Sequence, residues 1–176
     1  MRIIFLALAV AVGFSGSDPA ASPVVFVGDS LISQGPWHRL CRRATNLGRG
    51  SATTRRLPGM TRAAIELRPA VVVIMIGVND PLFGIPPGET AFNIKSAVSI
   101  LQQARIRVVL HRLLPVTSEY GIADFNARIH AVNRRLPANA LRLRLAERDY
   151  SGDGLHLRSR AYRKWAAELR RRGVCH

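Results

Sequence analysis

Two short motifs in this chain carry side chains suited to acyl transfer. The apolar run Val24–Val27 delivers Gly28-Asp29-Ser30, and Asp153-Gly154-Leu155-His156 precedes the last amphipathic segment. A serine set on a glycine-containing turn after a buried strand is one half of a nucleophilic site. A histidine three residues after an aspartate is the half that takes its proton. In this reading Ser30 attacks, His156 accepts the proton and returns it to the leaving group, and Asp153 holds the imidazole tautomer. The backbone amides of Ser30 and Gly48 and the side-chain amide of Asn79 are the expected oxyanion donors.

These residues need a frame that brings them together. Short β-branched apolar runs alternate with longer amphipathic segments, the pattern of a parallel sheet covered by helices on both faces. Strands are expected at Val24–Val27, Ala44–Asn46, Val71–Ile76, Arg107–Leu110 and Leu141–Leu145. Helices are expected over Leu31–Arg43, broken early by Gly35 and Pro36, and over Thr61–Arg68, Glu89–Ala104, Ile122–Leu136 and Ser159–Arg172. Phe92, Ala97, Ile100, Leu101 and Ala104 are expected on or near the buried stripe of the third of these. The loop Pro81–Gly88 is the one long irregular insertion and is expected to shape a substrate pocket. Ligands of open parallel sheets bind at the carboxyl ends of the strands, and Ser30, Asn46-Leu47-Gly48, Gly77-Val78-Asn79-Asp80 and Asp153–His156 all follow strands.

The chain has 176 residues and a formal charge of +15. Residues 1–21 read as a signal peptide: Arg2 supplies the basic start, Ile3–Val12 an apolar stretch too short to span a bilayer, and Gly13–Ser22 small residues. Residues 22–176 then form one domain, and the mature protein is expected to be exported, periplasmic or extracellular. Removing Arg2 and Asp18 with the leader leaves the charge unchanged. Only Lys95 and Lys164 are lysines, so the surplus is arginine spread over the helices, as a coding bias would also produce. It suits electrostatic association with an anionic membrane or envelope. Cys41 and Cys175 form no CxxC pattern; a disulfide between them and a pair of free thiols are both open readings.

Four ordered blocks carry a family resemblance: Val-Phe-Val-Gly-Asp-Ser-Leu ending at Leu31, Asn46-Leu47-Gly48, Gly77-Val78-Asn79-Asp80, and Asp153-Gly154-Leu155-His156-Leu157 followed by Ala161-Tyr162. In this the chain resembles the SGNH hydrolases, or GDSL esterases and lipases, whose four named residues are here Ser30, Gly48, Asn79 and His156. The resemblance implies a flavodoxin-like three-layer α/β/α sandwich with a five-stranded parallel sheet. It also implies an acylhydrolase that cleaves esters or thioesters through an acyl-enzyme without a metal; no cofactor is expected. The G-x-S-x-G elbow of α/β-hydrolases is absent, Ile32 standing where its last glycine would be. The second block continues Gly48-Arg49-Gly50-Ser51, a departure that leaves Arg49 either facing solvent or touching an anionic substrate.

The expected substrate is a small-molecule or glycan ester, either a lipid or simple ester or an O-acetylated glycan; nucleic acid is not an expected partner, and oligomeric state is open. The alternative is a non-catalytic basic protein that binds an anionic envelope polymer or nucleic acid. Other polar residues have structural readings. Asp29 and Asp80 are expected to fix turns, His111 to line the site mouth or sit in an ordinary loop, and Trp37 and Trp165 to anchor the core. His38 and Cys41, three apart, lack further metal ligands nearby in sequence.

Overall fold

A computed structural model describes residues 23–175; the expected signal peptide, residues 1–21, lies outside them. Strands β1 (Val24–Gly28), β2 (Ala44–Asn46), β3 (Val71–Met75) and β4 (Arg107–Leu110) form one parallel sheet in the order β2-β1-β3-β4. Val24 pairs with Ala44 on one side and Val71 on the other, and Val71 with Arg107. β1 and β3 are buried along their whole length, which is why each reads as an unbroken apolar run.

Six helices connect or flank the strands: α1 (Ser30–Ser33), α2 (Trp37–Leu40), α3 (Leu57–Glu66), α4 (Pro87–Gln103), α5 (Phe125–Asn133) and α6 (Ser159–Arg171). Right-handed crossovers from β1 out to β2, then back past β1 to β3 and β4, put α1 and α2 on one face and α3 and α4 on the other. The packing agrees. α4 touches α3 and α5, while on the first face Phe26 stacks on Trp37 at 4.1 Å and Trp37 meets Trp165 of α6 edge-on at 5.1 Å. Both tryptophans are fully buried core anchors, as expected.

The sheet has four strands rather than the expected five. Leu141 makes only an isolated parallel bridge to His111, with its amide on Leu110 O and its carbonyl on the Arg112 amide. The ladder stops there: the Arg112 carbonyl, which would take the next bond on that edge, accepts instead from His111 Nδ1 at 2.6 Å, and the backbone beyond it turns to α5. Asn133 of α5 accepts from the Leu113 amide at 2.9 Å and donates to the Leu113 carbonyl at 2.8 Å. Two helical turns earlier Asn126 does the same to Val116. Two asparagine amides thus satisfy the backbone after β4. The alternation Leu141-Arg142-Leu143-Arg144-Leu145 is left as an extended segment with its arginines exposed.

Two further expectations need correcting. Phe92 and Ile100 are exposed, and the buried stripe of α4 is Thr90, Ala91, Ile94, Ala97 and Leu101. Thr90 sets this rotation: its buried hydroxyl donates to Asp80 at 2.8 Å. His111 lines no mouth. It is buried in the core with its ring 4.8 Å from that of Trp165. Cys41, after α2, is disulfide-bonded to Cys175, just past α6. That bond deprives His38 of the one neighbour with which a metal reading had paired it.

Candidate active site

Ser30 opens α1 directly after β1. The turn that presents it is held by Asp29, whose buried carboxylate accepts from the Leu31 amide at 3.1 Å and from the Gly77 and Val78 amides at 3.2 and 3.4 Å. Asp29 therefore ties the end of β1 to the end of β3, fixing Ser30 relative to Asn79. Burial is the main influence on this carboxyl, and it outweighs the amide hydrogen bonds, pushing the pKa up to about 6; the nearby Asp80 charge adds to the rise. At neutral pH Asp29 is ionised.

His156 arrives on a loop closed by an antiparallel bridge between Tyr150 and Leu157. Asp153 organises that loop. One carboxylate oxygen accepts from Ser151 Oγ at 2.7 Å and from the amides of Leu155 and His156 at 3.0 and 2.9 Å. The other lies 2.5 Å from His156 Nδ1. Burial pulls the Asp153 carboxyl upward, but the bonds from His156, Ser151 and the two amides prevail and hold it well below the usual carboxylate range. Gly154 permits the turn. Its φ is +70°, and a β-carbon there would come within 2.6 Å of Thr117 Oγ1 and of the Tyr120 amide.

The two halves meet: His156 Nε2 lies 3.0 Å from Ser30 Oγ. With Nδ1 donating to Asp153, Nε2 presents a lone pair to the serine hydroxyl, the tautomer that general-base catalysis requires. Tyr162 of α6 secures the approach from below, its hydroxyl donating to Leu31 O at 3.0 Å.

The expected oxyanion donors divide. The Ser30 amide, first in its helix, has no intrahelical acceptor. Asn79 is buried and donates one amide hydrogen to Ala52 O at 3.0 Å, the second having no acceptor among the described residues. The Gly48 amide, in contrast, donates to Asn46 Oδ1 at 2.9 Å, while Asn46 Nδ2 donates to Ile32 O and Ser33 O at 3.1 Å each. Gly48 can join an oxyanion site only by sharing that hydrogen. The need for glycine is clear: a β-carbon at 48 would sit 2.4 Å from the Ser33 amide nitrogen. Asn46 was visible in the sequence only as the end of a strand; its clamp on α1 has no local signature.

Asp80 is a structural residue, accepting from the Thr54 amide at 2.9 Å and from the hydroxyls of Thr54 and Thr90. The loop after it is shorter than expected, a single turn over Asp80–Phe83 before α4 begins at Pro87. Pro81 and Leu82 face Ile122, Phe125 and Arg128 across a cleft of about 210 Å³.

Residues 26–172 match the GDSL-like lipase/acylhydrolase family. The chain belongs to that family. Among solved structures, a GDSL-like lipase from Bacteroides thetaiotaomicron is similar, with a TM-score of 0.71, 22% identity, and coverage of 87% of this chain and 88% of that one. The lipase/acylhydrolase from Enterococcus faecalis gives 0.71 at 18% identity, covering 85% and 94%. A psychrotrophic esterase from Pseudoalteromonas sp., solved inhibited by monoethylphosphonate, gives 0.65 at 17% identity, covering 85% and 95%. No curated protein sequence matches significantly. As a GDSL-like acylhydrolase the protein is a serine ester hydrolase, which sets aside the non-catalytic binding reading.

Proposed function

We propose that the protein is an exported esterase that cleaves short-acyl esters through an acyl-enzyme on Ser30. The observation that carries this reading is the line from Asp153 to His156 to Ser30, with separations of 2.5 and 3.0 Å. Ser30 Oγ attacks the ester carbonyl carbon as its proton passes to His156 Nε2, and the carbonyl electron pair moves onto oxygen. The Ser30 amide and the second Asn79 amide hydrogen meet that oxyanion. Collapse breaks the bond to the alcohol oxygen, which takes the proton from His156. Water, deprotonated by the same imidazole, then repeats the sequence and frees the acid.

Leu82 lies three residues after Asn79, and an acyl group held in the cleft of about 210 Å³ beside it would be short, acetyl among them, since pockets for larger ligands run from roughly 300 Å³ upward. Simple esters and O-acetylated glycans both satisfy this. The signal-like start and the Cys41–Cys175 bond support export, because disulfides persist in oxidising compartments. The positive charge supports retention at anionic envelope surfaces.

The test is hydrolysis of p-nitrophenyl esters from acetate to palmitate by the mature protein, with Ser30→Ala in parallel. Serine-dependent turnover that falls with chain length is expected. Turnover that survives Ser30→Ala would remove Ser30 from the mechanism, and a palmitate optimum would refute the short-acyl assignment.

A further inference from the structure

A larger cleft, of about 680 Å³, reaches Gly48, and its lining also includes Arg49, Arg55, Arg56, Gly59 and Met60. It is continuous with the active site through its backbone. The Arg49 amide donates to Gly28 O at 2.9 Å, two residues before the nucleophile, and Ala52, three residues on, accepts from Asn79. The wall that carries the arginines is therefore the wall that braces the oxyanion side.

The charges in this cleft are unequal. Arg55 is forked onto Glu89, at 2.6 and 3.2 Å, and that pair neutralises itself. Arg49 and Arg56 are exposed and have no side-chain partner among the described residues, and none of the residues lining the cleft is acidic. Two uncompensated guanidinium groups thus line a cleft that also includes Gly48, each able to grip an oxyanion with paired donors. The cleft is also kept open. Gly59 lies in the first turns of α3, and a β-carbon added there would meet nothing within 4 Å. A helical glycine costs about 1 kcal/mol against alanine. No neighbour demands this one, and its effect is to leave the cleft wall bare.

We propose that this cleft is an anion-recognising subsite, and that the substrates are esters bearing a phosphate or carboxylate group close to the scissile bond, held by Arg49 and Arg56. The proposal rests on Ser30 being the nucleophile. It defines a substrate class within the ester reading and turns Arg49 from a departure in the second block into a specificity residue.

The experiment compares matched esters. p-Nitrophenyl hemisuccinate against p-nitrophenyl acetate places the anion on the acyl half; para-acetoxybenzoate against its methyl ester places it on the alcohol half. For wild type at low salt, at least one anionic member should exceed its neutral mate in kcat/KM by roughly tenfold, through KM, with the preference shrinking at about 0.5 M salt. The pair that shows it tells which half enters the cleft. The double variant Arg49→Ala/Arg56→Ala should lose the preference, and Arg49→Lys/Arg56→Lys should keep part of it. Gly59→Leu, which fills the cleft without touching charge, should lower kcat/KM for the preferred anionic ester more than for its neutral mate. Preference for neither anionic ester, or an equal preference in wild type and the alanine double variant, would overturn the proposal. Failure of the nucleophile reading looks different: turnover of p-nitrophenyl acetate would then survive Ser30→Ala whatever the charge preference.

Discussion

Breaking the Cys41–Cys175 bond should cost this protein a large part of its stability while leaving its chemistry alone. The two residues are 134 apart in sequence, and the chain-entropy relation gives about 5 kcal/mol for closing a loop of that length in the unfolded state. For a domain of this size each kcal/mol moves the midpoint by roughly 2–4 °C, so Cys41→Ala/Cys175→Ala should melt about 10–20 °C below wild type. Alanine is the right replacement because both sulfurs are buried, and a serine hydroxyl would add its own desolvation cost. Urea and thermal unfolding followed by circular dichroism provide the assay, with p-nitrophenyl acetate turnover at about 25 °C beside it. Turnover should stay within about twofold, since Ser30 and His156 are held by Asp29, Asp153 and Tyr162 rather than by the disulfide.

There is a competing account of how the C-terminus is fastened. Val174 is buried, and the Arg107 guanidinium donates to the carbonyls of Arg172 at 2.6 Å and Gly173 at 3.3 Å. If those contacts suffice, the double variant will melt within about 3 °C of wild type, and the loop-closure reasoning is refuted.

The remaining predictions address the site and its supports. Asn79→Ala should lower kcat by roughly 10²–10³ with little change in KM, read from steady-state kinetics; a change confined to KM would make Asn79 a ground-state contact. Asp29→Asn would turn an NH2 group toward the Gly77 and Val78 amides, donor against donor, and should destabilise by about 1–3 kcal/mol in urea titration while lowering kcat. Tyr162→Phe removes the hydroxyl bond to Leu31 O and should cost about 1 kcal/mol of stability in the same titration. Burial, opposed by the bond to Arg112 O and aided by the Arg172 charge, pushes the His111 pKa down to about 4, so its contribution, present above pH 6.5, fades as pH falls. Asp29, raised to about 6, acts the other way. The two should nearly offset between pH 7 and 5 in wild type, whereas His111→Phe should gain about 1 kcal/mol over that interval, measured by urea midpoints at both pH values.

The proximity of Ser30 and His156 was legible because each follows a turn with a strong local signature: a glycine and an aspartate before Ser30, an aspartate and a glycine before His156. The partners that position those turns were not, because they are remote. Asp29 reaches Gly77, 48 residues on, and Tyr162 reaches Leu31, 131 residues back. Neither reach has a local pattern. The missing fifth strand has the same origin. Leu141–Leu145 has strand composition, but the Arg112 carbonyl that would carry the ladder on is taken by His111 Nδ1, and Asn133 and Asn126 of α5 hold the backbone after it. On α4 the apolar residues allowed more than one buried stripe, and a polar contact, Thr90 to Asp80, chose between them. Gly48 was expected to lend its amide, but that amide is held by Asn46, and what requires a glycine there is the close packing against α1.

The site's two aspartates show how one chemical group serves two ends. Asp29 is sealed inside the fold, where its desolvation raises the pKa, and three backbone amides repay part of that cost by making it the joint between β1 and β3. Asp153 stays about half exposed, is saturated with donors, and remains ionised far into acid. An anion that remains charged can stabilise an imidazolium throughout the catalytic cycle; one that protonates near pH 6 cannot be relied on for that. The placement follows: the carboxylate needed for charge lies on the wet rim beside His156, and the one needed for geometry is buried beneath Ser30. Exchanging their environments would leave both motifs intact in sequence and, in the proposed mechanism, Ser30 without a dependable base.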